Sequence, residues 1–471
     1  MHGMSVKKDP LVLMSPLRRL IYGIVIAGLA VAVLGAATLV VFEGRNAPPD
    51  QGTQVQGKPF LPSQQSEGWP KTTGRVFGVL AATLLFFQFG LSSKPKPLDR
   101  VFGLHRVLHL HRILGPSLVI LASLHPLFMF VSDPAGIGPL RLAIWPELLG
   151  ILLLICLWTG VCVALWRRFL AVPYQEWYLM HRFAMFSAVG IFTLHVWNVT
   201  DDFHRRWPLY ALAAVILLYA ALLAWKIILK PVFLKKQPYT VTRVRRVAED
   251  VHEVEMVPDK GEMFSYAPGQ FAFVTFFSEG LPTERHHWTL SSSPTRPKSC
   301  MFTIKCSGDF TSLIGRLKTG DQAAVDGPYG LFSHLAHQLG VDTELVMVAG
   351  GIGITPMLSM LRYMADTDDR RKVTLVWSNR TEEHILYREE LEGIKGKGPE
   401  LAIHHVLTRE QGFRGQTGRL NLQTLKELLA GCSRDAAVFV CGPPPMMTDV
   451  CRNMRGLGFK RSHIYREKFS Y

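Results

Sequence analysis

The chain has 471 residues, 48% of them hydrophobic, with 52 Lys and Arg against 37 Asp and Glu and a formal net charge of +15. Its mean hydropathy of +0.17 argues against a purely soluble protein, and its length argues against one ordinary domain. The positive charge is read as a match for anionic membrane lipid, because no basic helix belongs to a recognisable nucleic-acid module; nucleic acid is not expected as a partner. Seven cysteines with no CxxC pair and no four-cysteine cluster argue against a zinc site, an iron–sulfur centre and a disulfide framework.

Ahead of residue 230, nearly uncharged runs occur at 20–42, 76–91, 113–131, 148–166, 183–197 and 207–225. Several reach the roughly 20 residues that cross a hydrocarbon core, and six transmembrane helices are expected. Arg18 and Arg19 precede the first run, whose 23 uncharged residues exceed the apolar region of a signal peptide, so it is read as an anchor. Segments 1–19, 93–106, 167–182 and 226–236 hold 15 Lys or Arg, against 7 in 43–75, 132–146 and 200–207. Basic residues collect on the cytoplasmic side, so both chain ends are expected in the cytosol. The polar, Pro- and Gly-rich stretch at 43–71 reads as an external loop.

The stretch HRILGPSLVILASLH carries His111 and His125, 14 positions apart. On an α-helix that separation is about 21 Å and leaves the rings within roughly 40° of one face. The fifth run repeats the spacing with His181 and His195. The third and fifth helices run in the same direction, so His111 and His181 share the cytoplasmic level and His125 and His195 the external one. Two stacked imidazole pairs are what two b-type haems require. A single intramembrane histidine is as readily a hydrogen-bonded packing residue. Matched pairs favour ligation, because ionisable groups in lipid are costly and mark function. His105 and His109 read as cytoplasmic-end residues near haem propionates; Arg106, Arg112 and Arg182 can pair with those propionates or with lipid phosphate.

After KPVFLKK the texture changes. Short β-rich runs (YTVTRVRRVA, VHEVEMVP, QFAFVTFF, MFTIKC) predict a small antiparallel barrel, and the later strands alternating with helical stretches predict a parallel doubly wound sheet. In RHHWTLSSSP, a Ser-rich turn after a strand can set hydroxyls and amides against a flavin. In KCSGDFTSLIGRL, Gly308 permits close backbone approach and Thr311 can start a helix whose amides face a pyrophosphate. ELVMVAGGIGITPMLSML runs from a strand through Gly350, Gly351 and Gly353 into a helix opened by Thr355 and Pro356, a setting for a dinucleotide pyrophosphate. VFVCGPPPMM ends a strand at Cys441, Gly442 and Pro443, where a small thiol can stand beside a nicotinamide or be a buried core cysteine.

TLSS, GDFT, GGIGITP and CGPPPMM in this order resemble the ferredoxin–NADP reductase family over about 237–471, and the six-span half resembles the ferric reductase transmembrane domain, including the HRxxG start of its third helix at His111 to Gly115. Jointly the chain resembles a bacterial member of the NADPH oxidase and ferric reductase superfamily. The resemblance implies a cytosolic N-terminus at 1–19, a six-helix transmembrane bundle binding two haems at 20–230, an FAD-binding antiparallel β-barrel at 237–338 and an α/β NADPH-binding domain at 339–471. It implies electron flow from NADPH through FAD and two b-type haems to an external acceptor. It puts His286, Trp288, Thr289, Leu290, Ser291 and Ser292 on the flavin and Gly308, Asp309 and Thr311 near its phosphates. The glycine turn and Thr355 would hold the nicotinamide dinucleotide, with Cys441 near the nicotinamide. His287 stands where relatives commonly have proline. Arg380, with Ser378, falls where relatives read the adenosine 2′-phosphate, and an arginine there favours NADPH. A terminal aromatic covers the flavin in the family, and Phe469 and Tyr471 are both candidates.

Oxygen, reduced to superoxide, is the first acceptor expected, with His204, Arg205 and Arg206 as candidate charges near it. Ferric chelate, with Asp201 and Asp202 in the same loop, is the first rival; a membrane or periplasmic partner protein is the second.

Overall fold

The computed structural model describes residues 68–132, 145–167, 169–199, 224–235, 237–337, 339–410 and 412–468, with 217 and 221 singly besides. The first expected span, nearly all of the sixth, the loop carrying Asp201, Asp202, His204, Arg205 and Arg206, and both terminal aromatics Phe469 and Tyr471 lie outside the described residues.

The chain divides into two compact units, one within 23–95 and 106–227, the other within 96–105 and 228–471 among the described residues. Four helices of the first unit are long and apolar enough to cross a membrane. They are α1 (Trp69–Ser92), α3 (Leu104–Ser132), α4 (Trp145–Trp166) and α5 (Tyr174–Val199). Their exposed faces carry large apolar side chains such as Ile113, Ile120, Ile151, Ile155 and Leu194, as a lipid-facing surface requires. Their shared core is Ala81 and Leu85 of α1, Leu118 and Val119 of α3, Leu157 of α4, and Ala188 and Val189 of α5. Leu118 stands midway in sequence between His111 and His125, and Ala188 midway between His181 and His195, so an aliphatic plug lies between the two histidines of each helix.

The second unit includes a short helix, α2 (Lys96–Phe102), which lies between two spans in the sequence yet groups with the soluble domains. The soluble part begins with α6 (Lys230–Lys235). Six antiparallel strands follow: β1 (Tyr239–Ala248), β2 (Val251–Pro258), β3 (Phe271–Phe277), β4 (Arg285–Thr289), β5 (Cys300–Lys305) and β6 (Gln322–Tyr329). Their order is β4-β3-β6-β1-β2-β5, and a bridge between Leu290 and Phe302 joins the two edges. Closure removes both free edges around a core that includes Val241, Val254, Phe276, Phe302 and Ile304.

The last domain is a parallel sheet of β7 (Leu345–Gly350), β8 (Lys372–Asn379), β9 (Glu400–Leu407), β10 (Gln416–Thr417), β11 (Ala437–Cys441) and β12 (Ile464–Glu467), ordered β10-β9-β8-β7-β11-β12. Every residue of β7 is buried, which explains its unbroken apolar run: helices cover both faces. Met347, Leu375 and Phe439 face the side of α7 (Thr355–Asp366) and α8 (Arg388–Ile394), whereas Val348, Val376 and Val440 face α9 (Leu422–Leu428) and α10 (Pro444–Gly456). The order reverses between β7 and β11, the switch point at whose carboxyl edge such sheets bind ligands.

Candidate functional site

The register of the parallel sheet gathers three of the sequence motifs. Ala349 pairs with Cys441 on one side and Trp377 on the other, and Gly350 pairs with Ser378. The glycine turn, Ser378 and the Cys441 segment therefore stand side by side at the carboxyl edge. Gly351 has φ +52° with open space around it, which glycine alone tolerates easily. Gly353 meets a packing demand. A Cβ there would stand 2.3 Å from the carbonyl oxygen of Cys441, so the glycine lets two ligand-facing turns pack backbone to backbone. At Gly350 a Cβ would meet Met446 Sδ at 2.6 Å and Pro443 Cδ at 2.8 Å. Trp377 Nε1 donates to the Gly351 carbonyl at 3.0 Å, and Thr355 Oγ1 to the Ile352 carbonyl at 3.2 Å. Pro356 occupies the first turn of α7, where its missing N–H costs nothing. Cys441 is fully buried, and burial pushes its thiol well above the usual range, so it stays a neutral, polarizable neighbour. Gly442 packs against Gly350, 3.0 Å from where its Cβ would be, and Pro443 is exposed.

Sequence reasoning missed Asn379. It lies between Ser378 and the exposed Arg380, is buried, and neither atom of its amide has a hydrogen-bond partner. It lines a small cleft with Asp250, Lys305, Gly351, Ile352 and His384. An unpaired buried amide is costly, and its position beside Ser378 was the available signal.

On the barrel, His286, Trp288 and Phe310 form a stack, with ring centroids 5.5 Å apart for His286 and Trp288 and 4.0 Å for His286 and Phe310. This brings the RHHWTLSS strand to the GDFT loop. His286 Nε2 also lies 2.9 Å from Glu284 Oε2. Gly308 and Asp309 are exposed. The amides of Ser307 and Gly308 both donate to Thr311 Oγ1 at 2.9 Å, and the segment Thr311–Arg316 is a 3-10 helix. The helix expected to start at Thr311 is thus present in the tighter 3-10 form, and Gly315 within it packs against His252.

The Ser-rich turn is buried under α7. Ser291 Oγ donates to the Met301 carbonyl at 3.1 Å and accepts from Thr303 Oγ1 at 3.0 Å. Ser359 Oγ and Arg362 Nη1 both donate at 2.7 Å, to the carbonyls of Ser292 and Ser291. Tyr387, at φ +52°, donates to Glu253 Oε2 at 2.7 Å and lies 3.0 Å from Thr303 Oγ1. The turn is thus also the polar hinge between the barrel and the parallel sheet. Thr289 and Leu290 are buried at its start.

In the membrane unit, His125 Nδ1 is 2.8 Å from the carbonyl of Gly74 on α1. A carbonyl only accepts, so Nδ1 carries the proton and Nε2 keeps a lone pair, the state a metal ligand needs. His195 lies within electrostatic range of His125. Gln88 Nε2 donates to the His111 carbonyl at 3.1 Å, and His181 stacks on Trp177 with centroids 5.5 Å apart. Arg182 lies over the rings of Tyr178 and Phe186. Glycines clear the space beside the outer rings: a Cβ on Gly78 would stand 2.9 Å from His125 and one on Gly150 2.8 Å from His195. The tautomer of His125 and the space cleared beside His125 and His195 suit imidazole ligation of a haem.

Three family models match separate parts of the chain: the ferric reductase like transmembrane component at 77–192, an FAD-binding domain at 236–333 and the oxidoreductase NAD-binding domain at 347–452. NADH-cytochrome b5 reductase 1 of Candida glabrata is 35% identical over 43% of this chain and 73% of its own length. The glycine betaine monooxygenase reductase subunit of Pseudomonas aeruginosa is 34% identical over 47% of this chain, which spans 60% of that relative. The cytochrome b5 reductase domain of Ulva prolifera nitrate reductase superposes with TM-score 0.44 at 22% identity, over 49% of this chain and 97% of that one. The chain is an NAD(P)H-dependent oxidoreductase in which a ferric reductase-like transmembrane component is followed by FAD- and NAD-binding domains, the arrangement of a ferric reductase or NADPH oxidase-type fusion.

Proposed function

We propose that the protein carries electrons from cytosolic NADPH, through FAD and two b-type haems, to oxygen on the external side of a bacterial inner membrane, giving superoxide. What supports the reading is the equal 14-residue histidine spacing on the long apolar helices α3 and α5, with His125 held as the Nδ1–H tautomer by Gly74. The reading divides the chain as 1–19, 20–230 with six spans, 237–338 and 339–471, with both ends cytosolic.

FAD and the haems supply, when bound, the change from a two-electron donor to single-electron steps. The chain's own residues do the rest. The carboxyl edge at Gly350, Gly351, Gly353, Thr355 and Pro356 receives the dinucleotide; Ser378 and Arg380 meet its adenosine end; Cys441, Gly442 and Pro443 border the nicotinamide. His286, Trp288, Thr289, Leu290, Ser291 and Ser292 border the flavin, Gly308, Asp309 and Thr311 its phosphates, and Phe469 or Tyr471 covers its ring. His111 with His181, and His125 with His195, ligate the irons. Relatives named for NADH make NADH the alternative donor, and those named as reductase subunits keep a protein acceptor in view beside ferric chelate.

The test is anaerobic reduction of the FAD-supplemented protein by NADPH, followed by admission of oxygen. Haem bands that reduce and then reoxidise rapidly, with product removed by superoxide dismutase, support the reading. Bands that stay reduced in oxygen and reoxidise with ferric chelate replace oxygen with iron. A protein lacking b-type bands, or a His195→Ala variant that keeps both haems, overturns the ligand assignment.

A further inference from the structure

The two histidines at the external level are each pressed against a glycine on a helix that carries no ligand. A Cβ at Gly78 of α1 would stand 2.9 Å from His125 Nδ1, 3.2 Å from its Cε1 and 3.3 Å from its Cγ. One at Gly150 of α4 would stand 2.8 Å from His195 Cε1, 3.2 Å from Nδ1 and 3.3 Å from Nε2. Real Cβ atoms do not sit that close to a ring, which is rigid and has no flexible end to swing away. His125 is fixed further by its Nδ1 bond to Gly74, one helical turn from Gly78 on the same helix. Ring plane and tilt at both positions are therefore set by the flanking helices α1 and α4, one on each ligand.

At the cytoplasmic level Gly160 of α4 faces His181 differently. Its Cβ would be 3.8 Å from His181 Nδ1, an ordinary contact, and its one close neighbour is the terminal methyl of Met185 at 2.6 Å. A methionine end moves readily.

We infer that Gly78 and Gly150 are positioning residues that set the orientation of His125 and His195 as ligands of the outer haem, and that the inner pair has no such dependence on Gly160. The inference rests on the two-haem reading above. An axial imidazole's orientation tunes the iron it holds, so the effect is local to one cofactor. Helix weakening cannot mimic it, because Gly→Ala raises helix propensity by about 1 kcal/mol.

The experiment compares Gly78→Ala, Gly150→Ala and Gly160→Ala in the purified full-length chain. Haem is counted per chain by pyridine haemochromogen, low-spin g-values are read by electron paramagnetic resonance, and midpoint potentials by redox titration. Folded protein is counted by circular dichroism and by FAD bound per chain. Expected is loss of about half the haem, or a shift in the g-values and potential of one haem, in Gly78→Ala and Gly150→Ala. Gly160→Ala keeps both signals. Wild-type stoichiometry, g-values and potentials in both outer variants overturn the inference, and so does equal loss in Gly160→Ala, which would mean general crowding. Wild-type protein without two haems, or His125→Ala retaining both, instead removes the reading beneath it.

Discussion

Asp99 and Gly330, 231 positions apart, are joined by hydrogen bonds from the Gly330 amide to both carboxylate oxygens, at 3.1 and 3.3 Å. The Leu104 amide donates to Asp99 Oδ1 at 2.7 Å, and Lys96 Nζ donates to the Gly327 carbonyl at 2.5 Å. The loop helix α2 is thereby held on the end of β6. Asp99 is almost fully buried, and burial pushes its carboxyl up to about 6, against the opposing pull of the Gly330 and Leu104 amides and of Arg100 and Lys96.

That shift has a definite pH signature. With its folded value above its unfolded one, the ionised Asp99 opposes folding at pH 7 by about 3 kcal/mol. The opposition fades as pH falls through about 6 and is gone near the ordinary carboxylate range. Asp99→Asn, which keeps an acceptor oxygen, is expected to be more stable than wild type at neutral pH, with the difference shrinking by about pH 4. Asp99→Ala leaves two amides without their acceptor and costs about 1–3 kcal/mol. Thermal unfolding of both variants across this pH range checks the pair.

Asp326 behaves oppositely. Burial raises its carboxyl, but the charges of Arg285 and Lys230 outweigh burial and hold it below the usual carboxylate range. Lys230 Nζ is 2.7 Å away, and Arg285 makes a direct ion pair while stacking 4.3 Å above Phe273. The stability this contributes is present above the unfolded carboxylate value and lost as pH falls through the depressed folded one. Asp326→Asn should cost about 1–2 kcal/mol at pH 7, a figure discounted because Arg285 is partly exposed. Denaturant melts at pH 7 and pH 3 should show a larger cost at the first than at the second.

Gly353→Ala puts a methyl against the Cys441 carbonyl, which belongs to the backbone and cannot swing aside. A loss of about 1–3 kcal/mol is expected, with weakened NADPH binding because both turns must shift. Gly351→Ala has room for its methyl, and its cost is the conformational one of a positive φ, about 1 kcal/mol. Nucleotide titration alongside melts separates the two.

Arg380→Ala should weaken NADPH about tenfold or more while leaving NADH nearly unchanged, because only NADPH carries the 2′-phosphate that an arginine pairs with. Steady-state kinetics with both nucleotides read this directly. Equal effects on the two would remove Arg380 from nucleotide choice.

The architecture of the soluble half is legible wherever local pattern and burial coincide. The run LVMVAG is apolar without alternation because both faces of β7 are covered, and the glycines after it mark a strand-to-helix turn at the sheet's switch point. The histidine spacing on α3 and α5 is likewise a local periodicity, though Pro116 and Pro126 inside α3 make it less regular than an ideal helix. What escaped depends on partners distant in sequence. Nothing in KPLDRVF says that Asp99 accepts from Gly330. The hydroxyls of SSS look like ligand groups, yet Ser291 and Ser292 are engaged by Thr303, Tyr266 and the backbone of Met301. The demand on Gly353 comes from a carbonyl 88 positions later in the chain.

Under the proposed function, the aliphatic plug between the histidines also bears on what kind of current the protein would carry. Ala81, Leu85, Leu118, Val119, Leu157, Ala188 and Val189 carry no titratable group, so in the proposed orientation an electron would pass this described core without a proton beside it. An electron moving outward from a negative interior runs downhill by about 2.3 kcal/mol per 100 mV. Turnover would therefore discharge the membrane and acidify the cytosol, and would slow as the voltage collapsed unless another route returned positive charge to the outside.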